Sequence, residues 1–340
     1  MNIQFESFYK VLTNTLNEYK SYQVIFLSLL IMTKTTMYTT ANAGAMPTLL
    51  ESYDHDLQQL QLRVGIDRAA STLKRRRLLR RHMVDFLTNH LQRPDIGLDE
   101  LTPSFINDFA TFLSTRRRLR GGTVWLACQH LKGVVARACQ RGVIQNNPFY
   151  NFHISKNIRE REYLTERELK QLMEHPFDNE RHAFYRDVFV FSALTGMAFI
   201  DICHLRAEDI RDINGEPWIQ ARRHKTQTTF YVKLLQPALT ILRHHRHDEG
   251  PLFGPLTYRT VAKYIPLIMQ ACGIQKHITF HCARHTFAVI ALNAGLPIES
   301  VSRVLGHTNI TTTQIYAKIT LQKLSRDMEH FGKFLTQSIE

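Results

Sequence analysis

The chain has 340 residues, a formal net charge of +13 at pH 7 and a pI of about 9.6. A chain of this length can bury more than one hydrophobic core, and its positive charge favours a polyanionic partner such as nucleic acid. Its five cysteines are scattered and contain no Cys-x-x-Cys pair. This argues against a disulfide scaffold or a zinc-ligand set and predicts free thiols in a reducing cytoplasm.

Residues 1–45 differ from the rest of the chain and are predicted to be a poorly ordered or weakly helical extension. The apolar run VIFLSLLIM at 24–32 is too short to span a bilayer, so no membrane partner is expected. A cleavable signal peptide is disfavoured by the acidic residues of this segment. A start codon assigned too early, with Met37 or Met46 as the true start, is the alternative.

Residues 46–150 are predicted to form a helical domain, because apolar residues recur at helical spacing from Leu49 to Leu60. Ser71-Thr72 is a plausible N-cap for a second helix, and a further helix is expected over 124–139. Two basic clusters, with almost no compensating acid, favour contact with nucleic-acid phosphates over a solvated charged face. The side chains expected to make these contacts are Lys74, Arg75, Arg76, Arg77, Arg80, Arg81, Arg116, Arg117, Arg118, Arg120 and Thr123.

A polar and charged segment at 151–162 is the expected linker to a second domain at 163–340. Thr165, with Glu168 three residues later, has the pattern of a capping box at the start of a helix.

An apolar helical hairpin is predicted over 183–206, broken at Thr195-Gly196. Strands are predicted over 208–235, with Asn214-Gly215 as a turn signal.

The stretch HCARHTFAVIALNAGLPIESVSRVLGHTNITTTQIY, from His281 to Tyr316, carries the residues with the clearest chemical meaning. His281 and Arg284 are three residues apart, so they share one face of a helix. An L-G-H motif ends at His307, and Tyr316 lies nine residues beyond it. Arginine clamps phosphate through paired N–H bonds, histidine moves protons near neutral pH, and a tyrosine hydroxyl can be a covalent nucleophile. This set could bind and cleave a phosphodiester without a metal.

The H-x-x-R pattern, the L-G-H motif and the tyrosine nine residues later resemble the tyrosine recombinase (phage integrase) family, over about residues 50–335. The resemblance implies a mainly α fold with a small antiparallel β-sheet in the catalytic domain. It implies a C-shaped clamp around DNA, formed by a helical SAM-like core-binding domain at 46–150 and an α/β catalytic domain at 163–340 with a tail helix. The implied activity is site-specific recombination of double-stranded DNA, as an integrase or invertase.

The resemblance also implies a role for each residue of the site. Tyr316 would attack the scissile phosphate and form a 3′-phosphotyrosyl bond, with His281 as its base. Arg284 would stabilise the charge of the phosphate, and His307 would add a hydrogen bond to it. Lys225, which matches the family's hairpin lysine, would protonate the leaving 5′-oxygen. No metal or other cofactor is implied.

One position departs from the family pattern, because Ala198 stands where the first catalytic arginine usually follows the threonine-glycine pair. Asp201, at the family's acidic position, is kept. Arg223 is the first candidate to replace the arginine, because residues two apart in an extended strand, such as Arg223 and Lys225, point to one face. Arg186, on the preceding helix, is the second candidate.

An amphipathic tail from Leu321 to Leu335 is expected to contact a neighbouring protomer. The implied assembly is a homo-oligomer on paired inverted-repeat DNA sites, a tetramer in the synapse, in the cytoplasm at the nucleoid. One rival is a non-catalytic DNA-binding protein of the same fold, favoured by Ala198 but opposed by the other retained site residues. The second rival is a type IB topoisomerase, which would relax plasmids that lack any target site.

Overall fold

The computed structural model describes residues 46–155, 162–245, 247, 249–316 and 321–339. The predictions for residues 1–45 therefore lie outside the described residues. The chain divides into two compact units at residues 158–159, inside the segment expected to be a linker.

The described part of the N-terminal unit has a short 3-10 helix (Leu98–Glu100) and four α-helices: α1 (Leu49–Leu62), α2 (Ala70–Asn89), α3 (Pro103–Thr115) and α4 (Gly121–Gln140). No side chain caps α2, so the expected N-cap at Ser71-Thr72 is wrong, and α4 begins three residues before the expected start near Val124. Each begins three residues before its first buried side chain, Leu73 or Val124. Burial of the apolar face therefore sets these starts, while Ser71 and Thr72 lie inside the first turn of α2.

Beside a small sheet, the described part of the C-terminal unit contains nine α-helices. They are α5 (Glu166–Glu174), α6 (Glu180–Thr195), α7 (Phe199–Cys203), α8 (Gln236–His245), α9 (Tyr258–Ala271), α10 (Phe280–Asn293), α11 (Ile298–Val304), α12 (Thr311–Gln314) and α13 (Leu321–Ile339). The capping box at the start of α5 is confirmed, since Thr165 Oγ1 accepts from the Glu168 amide and the Glu168 carboxylate accepts from the Thr165 amide.

The three strands are β1 (Ile210–Ile213), β2 (Glu216–Arg222) and β3 (Thr229–Lys233), paired antiparallel in that order. Ile219 of β2 is the register partner of both Ile210 and Val232, and alternate residues of β3 are buried. The predicted turn at Asn214-Gly215 is confirmed, with φ of 58° and 79°. The expected mainly α fold with a small antiparallel sheet is also confirmed.

The predicted break at Thr195-Gly196 is confirmed as the end of α6. Gly196 adopts a left-handed φ of 69°, which favours glycine. A Cβ at this position would stand 2.7 Å from Phe287 Cδ1 and 3.0 Å from Leu305 Cδ2. This glycine therefore lets the chain turn into α7 while α10 and the L-G-H motif pack against the turn.

Within the described ranges, no helix is both long enough and apolar enough to cross a membrane. The same part of the chain contains no group of three or more His, Cys, Asp or Glu side chains placed to hold a metal ion.

Candidate active site

Arg284 lies on the first turns of α10 and is only 3% exposed. Its Nη1 donates to the Gly196 carbonyl at 2.7 Å, and its Nη2 donates to the Leu305 carbonyl at 2.6 Å. Burial, followed by the neighbouring charge of Arg223, lowers the pKa of Arg284 to about 9. The guanidinium therefore stays charged at neutral pH, and its orientation is fixed by two backbone segments.

His307 follows α11 and is held on both sides of its ring. Its Nε2 lies 2.8 Å from Arg284 Nη2, and its Nδ1 lies 2.8 Å from Thr313 Oγ1. Because a guanidinium can only donate, Nε2 is the acceptor, and in the neutral ring Nδ1 carries the proton. Burial and then the charge of Arg284 lower the pKa of His307 from 6.5 to about 4, so the ring is neutral at neutral pH.

Arg223 brings a second guanidinium to the same carbonyl. Its Nη1 donates to the Leu305 oxygen at 2.7 Å, so this nitrogen and Arg284 Nη2 share one acceptor. The two nitrogens lie within about 5.3 Å of each other, because that is the sum of the two donor–acceptor distances. Arg223 Nε is 2.9 Å from Asp201 Oδ2, an ion pair without hydrogen-bond alignment. Two cationic side chains thus converge beside His307.

The glycine of the L-G-H motif permits this approach. Gly306 has a left-handed φ of 60°, and a Cβ there would stand 2.8 Å from Arg223 Cγ and 3.1 Å from Arg223 Cδ. The Arg223 side chain therefore crosses directly over the backbone of Gly306 on its way to Leu305.

Ala198, where the family resemblance led us to expect an arginine, is the N-cap of α7. Asp201, in the first turn of that helix, is buried. Its Oδ1 accepts from the backbone amide of His224 at 2.9 Å, and its Oδ2 faces Arg223. The retained carboxylate therefore contacts the segment after β2 at two points.

Tyr316 lies just beyond α12 and is half-buried against a cluster that includes Leu305. It lies close enough to Arg284 to raise the pKa of that guanidinium. The phenol of the predicted nucleophile is thus beside the predicted phosphate clamp of the same chain.

His285 is a site residue that the sequence analysis missed. Its buried ring makes edge-to-face contacts with Tyr316 and with His281, with 4.8 Å between ring centroids in both pairs. His281 itself is exposed and close enough to His307 to lower its pKa. A histidine four residues after His281 shares its helix face, which was the signal in the sequence.

Lys225 occupies a different position from the one expected. Strand β2 ends at Arg222, and residues 224–226 form a turn in which Lys225 is exposed. Arg223 and Lys225 therefore do not lie on one extended strand, and the prediction that they share its face is wrong. The turn is closed by bonds from the Arg223 amide to the Thr228 carbonyl and from the Gln227 amide to the Arg223 carbonyl, each 2.8 Å.

Arg186 binds the backbone at the end of α5. Its Nη1 donates to the carbonyls of Leu172, Met173 and His175 at 3.0–3.3 Å, at the C-terminal end of α5. Its Nε donates to Asp187, and its guanidinium lies over the Phe177 ring. These contacts hold Arg186 at the end of α5, which disfavours it as the substitute arginine.

The basic clusters of the N-terminal unit lie on α2 and between α3 and α4. Of the eleven side chains expected to contact DNA, nine are exposed, whereas Arg76 and Arg80 are half-buried. The expectation of almost no compensating acid is wrong. Arg80 pairs with Asp54 of α1, and Arg117 pairs with Asp85 of α2, because the fold brings acids from other segments alongside. Contact of these clusters with DNA stays a prediction.

Family comparisons match both units of the chain. The Phage integrase family matches residues 162–323, and the Phage integrase SAM-like domain matches residues 48–154. Together the two matches span well over half of the chain.

Individual proteins agree with these matches. The tyrosine recombinase XerC of Lactobacillus delbrueckii subsp. bulgaricus is 25% identical over 237 residues, which cover 65% of this chain and 80% of the relative. The integrase of transposon Tn1549, solved in complex with a circular intermediate DNA, has a TM-score of 0.68 at 18% identity and covers 84% of this chain and 100% of its own. A lambda integrase dimer bound to a core site has a TM-score of 0.61 at 18% identity, with 84% of each chain covered.

Proposed function

Because the chain belongs to the phage integrase family of tyrosine recombinases, we propose that it recombines DNA at specific sites through a covalent 3′-phosphotyrosyl intermediate. The enzyme class is that of a DNA-cleaving tyrosine recombinase. The roles of individual residues below are part of the proposal.

In the cleavage step, Tyr316 Oη attacks the scissile phosphorus and gives its proton to His281 as general base. The new bond joins Tyr316 to the 3′-phosphate, and the bond from phosphorus to the 5′-oxygen breaks. Lys225 gives a proton to that oxygen, so a 5′-hydroxyl leaves. Rejoining reverses these transfers with a 5′-hydroxyl from a second strand, and the phosphodiester energy is conserved.

The convergence of Arg223 and Arg284 on the Leu305 carbonyl carries this proposal. Two guanidinium groups within about 5.3 Å can both donate to the non-bridging oxygens of one phosphate, which lie on a single phosphorus atom. This supports Arg223 as the replacement for the arginine that is expected at position 198. It weighs against the non-catalytic rival, since DNA binding alone does not need two arginines beside a tyrosine.

His307 requires a proton to play its proposed role. Its Nε2 accepts from Arg284, so donation from that nitrogen to a phosphate oxygen requires a proton on Nε2, gained by protonation of the ring or by a change of tautomer. The negative charge of a phosphate raises the pKa of a nearby histidine and so favours that protonation. His307 would then change from acceptor to donor when DNA is bound.

The proposed partner is double-stranded DNA with paired inverted-repeat sites, on which the protein assembles as an oligomer and pairs two duplexes as a tetramer. The DNA-bound Tn1549 and lambda integrase structures support DNA binding and assembly on DNA. Helix α13 supports contact in trans, because Leu324, Met328 and Phe331 are about half exposed and spaced along one helix face. Deletion of residues 321–340 should abolish assembly on paired sites, and unchanged assembly would exclude this role.

Covalent trapping tests the proposed chemistry. DNA flanking the protein's own gene is incubated with the protein, and the covalent adduct is resolved on a denaturing gel. Wild type should form an adduct that Tyr316→Phe does not. Arg223→Ala should slow its formation at least about 100-fold, as expected for loss of a charge-stabilising donor.

The neighbouring exposed arginine provides the matched control, because Arg222→Ala removes the same charge one residue away and should retain the wild-type rate. Specific DNA binding by wild type without any adduct would establish the non-catalytic rival. Relaxation of a plasmid that lacks the site would instead indicate a topoisomerase.

A further inference from the structure

The turn that carries Lys225 is attached to α7 by a pair of histidines. The rings of His204 and His224 are stacked, with centroids 4.7 Å apart and planes 27° apart. His204 follows the last residue of α7, and His224 immediately precedes Lys225. The pair therefore joins two segments that are twenty residues apart in the chain.

Hydrogen bonds fix the ring of His204 and the backbone of His224. His204 Nδ1 is 2.8 Å from the Ile200 carbonyl and donates to it, since that oxygen can only accept. The His224 amide donates to Asp201 Oδ1 at 2.9 Å, and the His224 carbonyl accepts from Gln227 Nε2 at 3.1 Å. Both side chains are exposed, so burial in a core does not account for the contact.

We propose that the His204–His224 stack is a positioning device that holds Lys225 toward the scissile phosphate. An exposed lysine at the tip of a turn otherwise samples many rotamers, which lowers the fraction of time its ammonium spends near a reacting atom. The ring stack and the backbone hydrogen bond to Asp201 fix His224, the residue before Lys225. This limits the directions in which the Lys225 side chain can leave the turn. Asp201, which accepts from the His224 amide, also faces Arg223, so one carboxylate contacts both the turn and the second arginine.

This inference rests on the proposed role of Lys225 as general acid, and the two ideas can be tested separately. His224→Ala and His204→Ala should slow adduct formation by about five- to tenfold, the effect expected for loss of one aromatic pair, with DNA affinity unchanged. His224→Phe retains a ring and should restore most of the rate. A double-mutant cycle with Lys225→Ala should show that His224→Ala adds little once Lys225 is absent.

A substrate with sulfur in place of the leaving 5′-oxygen provides a second readout. A thiolate leaves without protonation, since thiols are far more acidic than alcohols, so this substrate makes a general acid unnecessary. Lys225→Ala, His204→Ala and His224→Ala should all return to within about twofold of the wild-type rate, whereas Arg223→Ala should not.

Three outcomes would overturn the inference. Wild-type rates for both histidine variants on the oxygen substrate would exclude the device, and so would a loss that is fully additive with Lys225→Ala. A loss that is equal on the oxygen and sulfur substrates would show that the histidines act elsewhere. If the sulfur substrate does not restore the rate of Lys225→Ala, the assignment of Lys225 as general acid fails. The double-mutant cycle of His224→Ala with Lys225→Ala then decides whether the histidine stack positions Lys225.

Discussion

Replacing Gly306 by alanine should disable the site by displacing Arg223, although every proposed catalytic side chain is unchanged. Gly306 has a φ of 60°, and an added Cβ would stand 2.8 Å from Arg223 Cγ, 3.1 Å from Arg223 Cδ and 3.3 Å from Phe230 Cβ. The end of the arginine is held by Leu305 and Asp201, so its middle cannot move away without displacing the guanidinium.

The magnitude has two parts. The left-handed backbone costs alanine about 1–2 kcal/mol of stability, which should appear as a lower melting temperature. Displacement of Arg223 by about 1 Å should cost about 100-fold in the rate of adduct formation, as for other misplaced charge-stabilising groups. Gly215→Ala is the matched control, because Gly215 has a φ of 79° in the same unit but nothing within 4 Å of its added Cβ. It should lose comparable stability and keep the wild-type rate.

The assay is single-turnover adduct formation with folded protein, at a temperature well below both melting points. Equal rates of adduct formation for Gly306→Ala and Gly215→Ala would refute the role of Gly306 in placing Arg223 for catalysis. A further 100-fold loss of rate from Gly306→Ala in an Arg223→Ala background would also refute this role, because the methyl group would then act through another residue.

Three further predictions concern other contacts of the same unit. The pKa of His307 is about 4 in the folded protein and 6.5 ordinarily, so the unfolded chain takes up a proton first as pH falls. Denaturant unfolding should therefore show a loss of about 2 kcal/mol of stability between pH 6.5 and 4, after allowance for the partial exposure of the ring. The His307→Gln variant should not show this loss. His285→Ala should slow adduct formation about tenfold by removing the edge-to-face contact with Tyr316, while His285→Phe should retain most of the rate; equal losses would point to a proton-transfer role instead. Arg186→Ala should destabilise the unit by about 2 kcal/mol in thermal unfolding and leave the adduct rate at 25 °C unchanged, and a selective rate loss would return Arg186 to the site.

The parts of the fold that were predictable are those specified by neighbours in the sequence. The capping box of Thr165 and the Asn214-Gly215 turn each depend on residues within three positions, and both are present. The H-x-x-R spacing likewise places His281 and Arg284 on α10. Local chemistry suffices for such features because the interacting groups are covalently close.

The contacts that were missed join distant segments. Arg223 reaches the carbonyl of Leu305, 82 residues away, and no local pattern shows which acceptor a long side chain will find. The ion pair of Arg117 with Asp85 also depends on the packing of separate helices. Strand length caused the remaining error, because β2 ends one residue before Arg223 and the alternation of strand side chains stops there.

In the proposed mechanism, Asp201 would let a second arginine reach the site although position 198 is alanine. Both oxygens of this buried carboxylate face the segment after β2, one as acceptor for the His224 amide and the other as the counter-charge of Arg223. A buried guanidinium without such a counter-charge would be strongly destabilising, so the carboxylate makes the inward position of Arg223 possible. Asp201 is thus the counter-charge of Arg223 in this chain. It can direct an arginine from the neighbouring hairpin to the same carbonyl that orients Arg284.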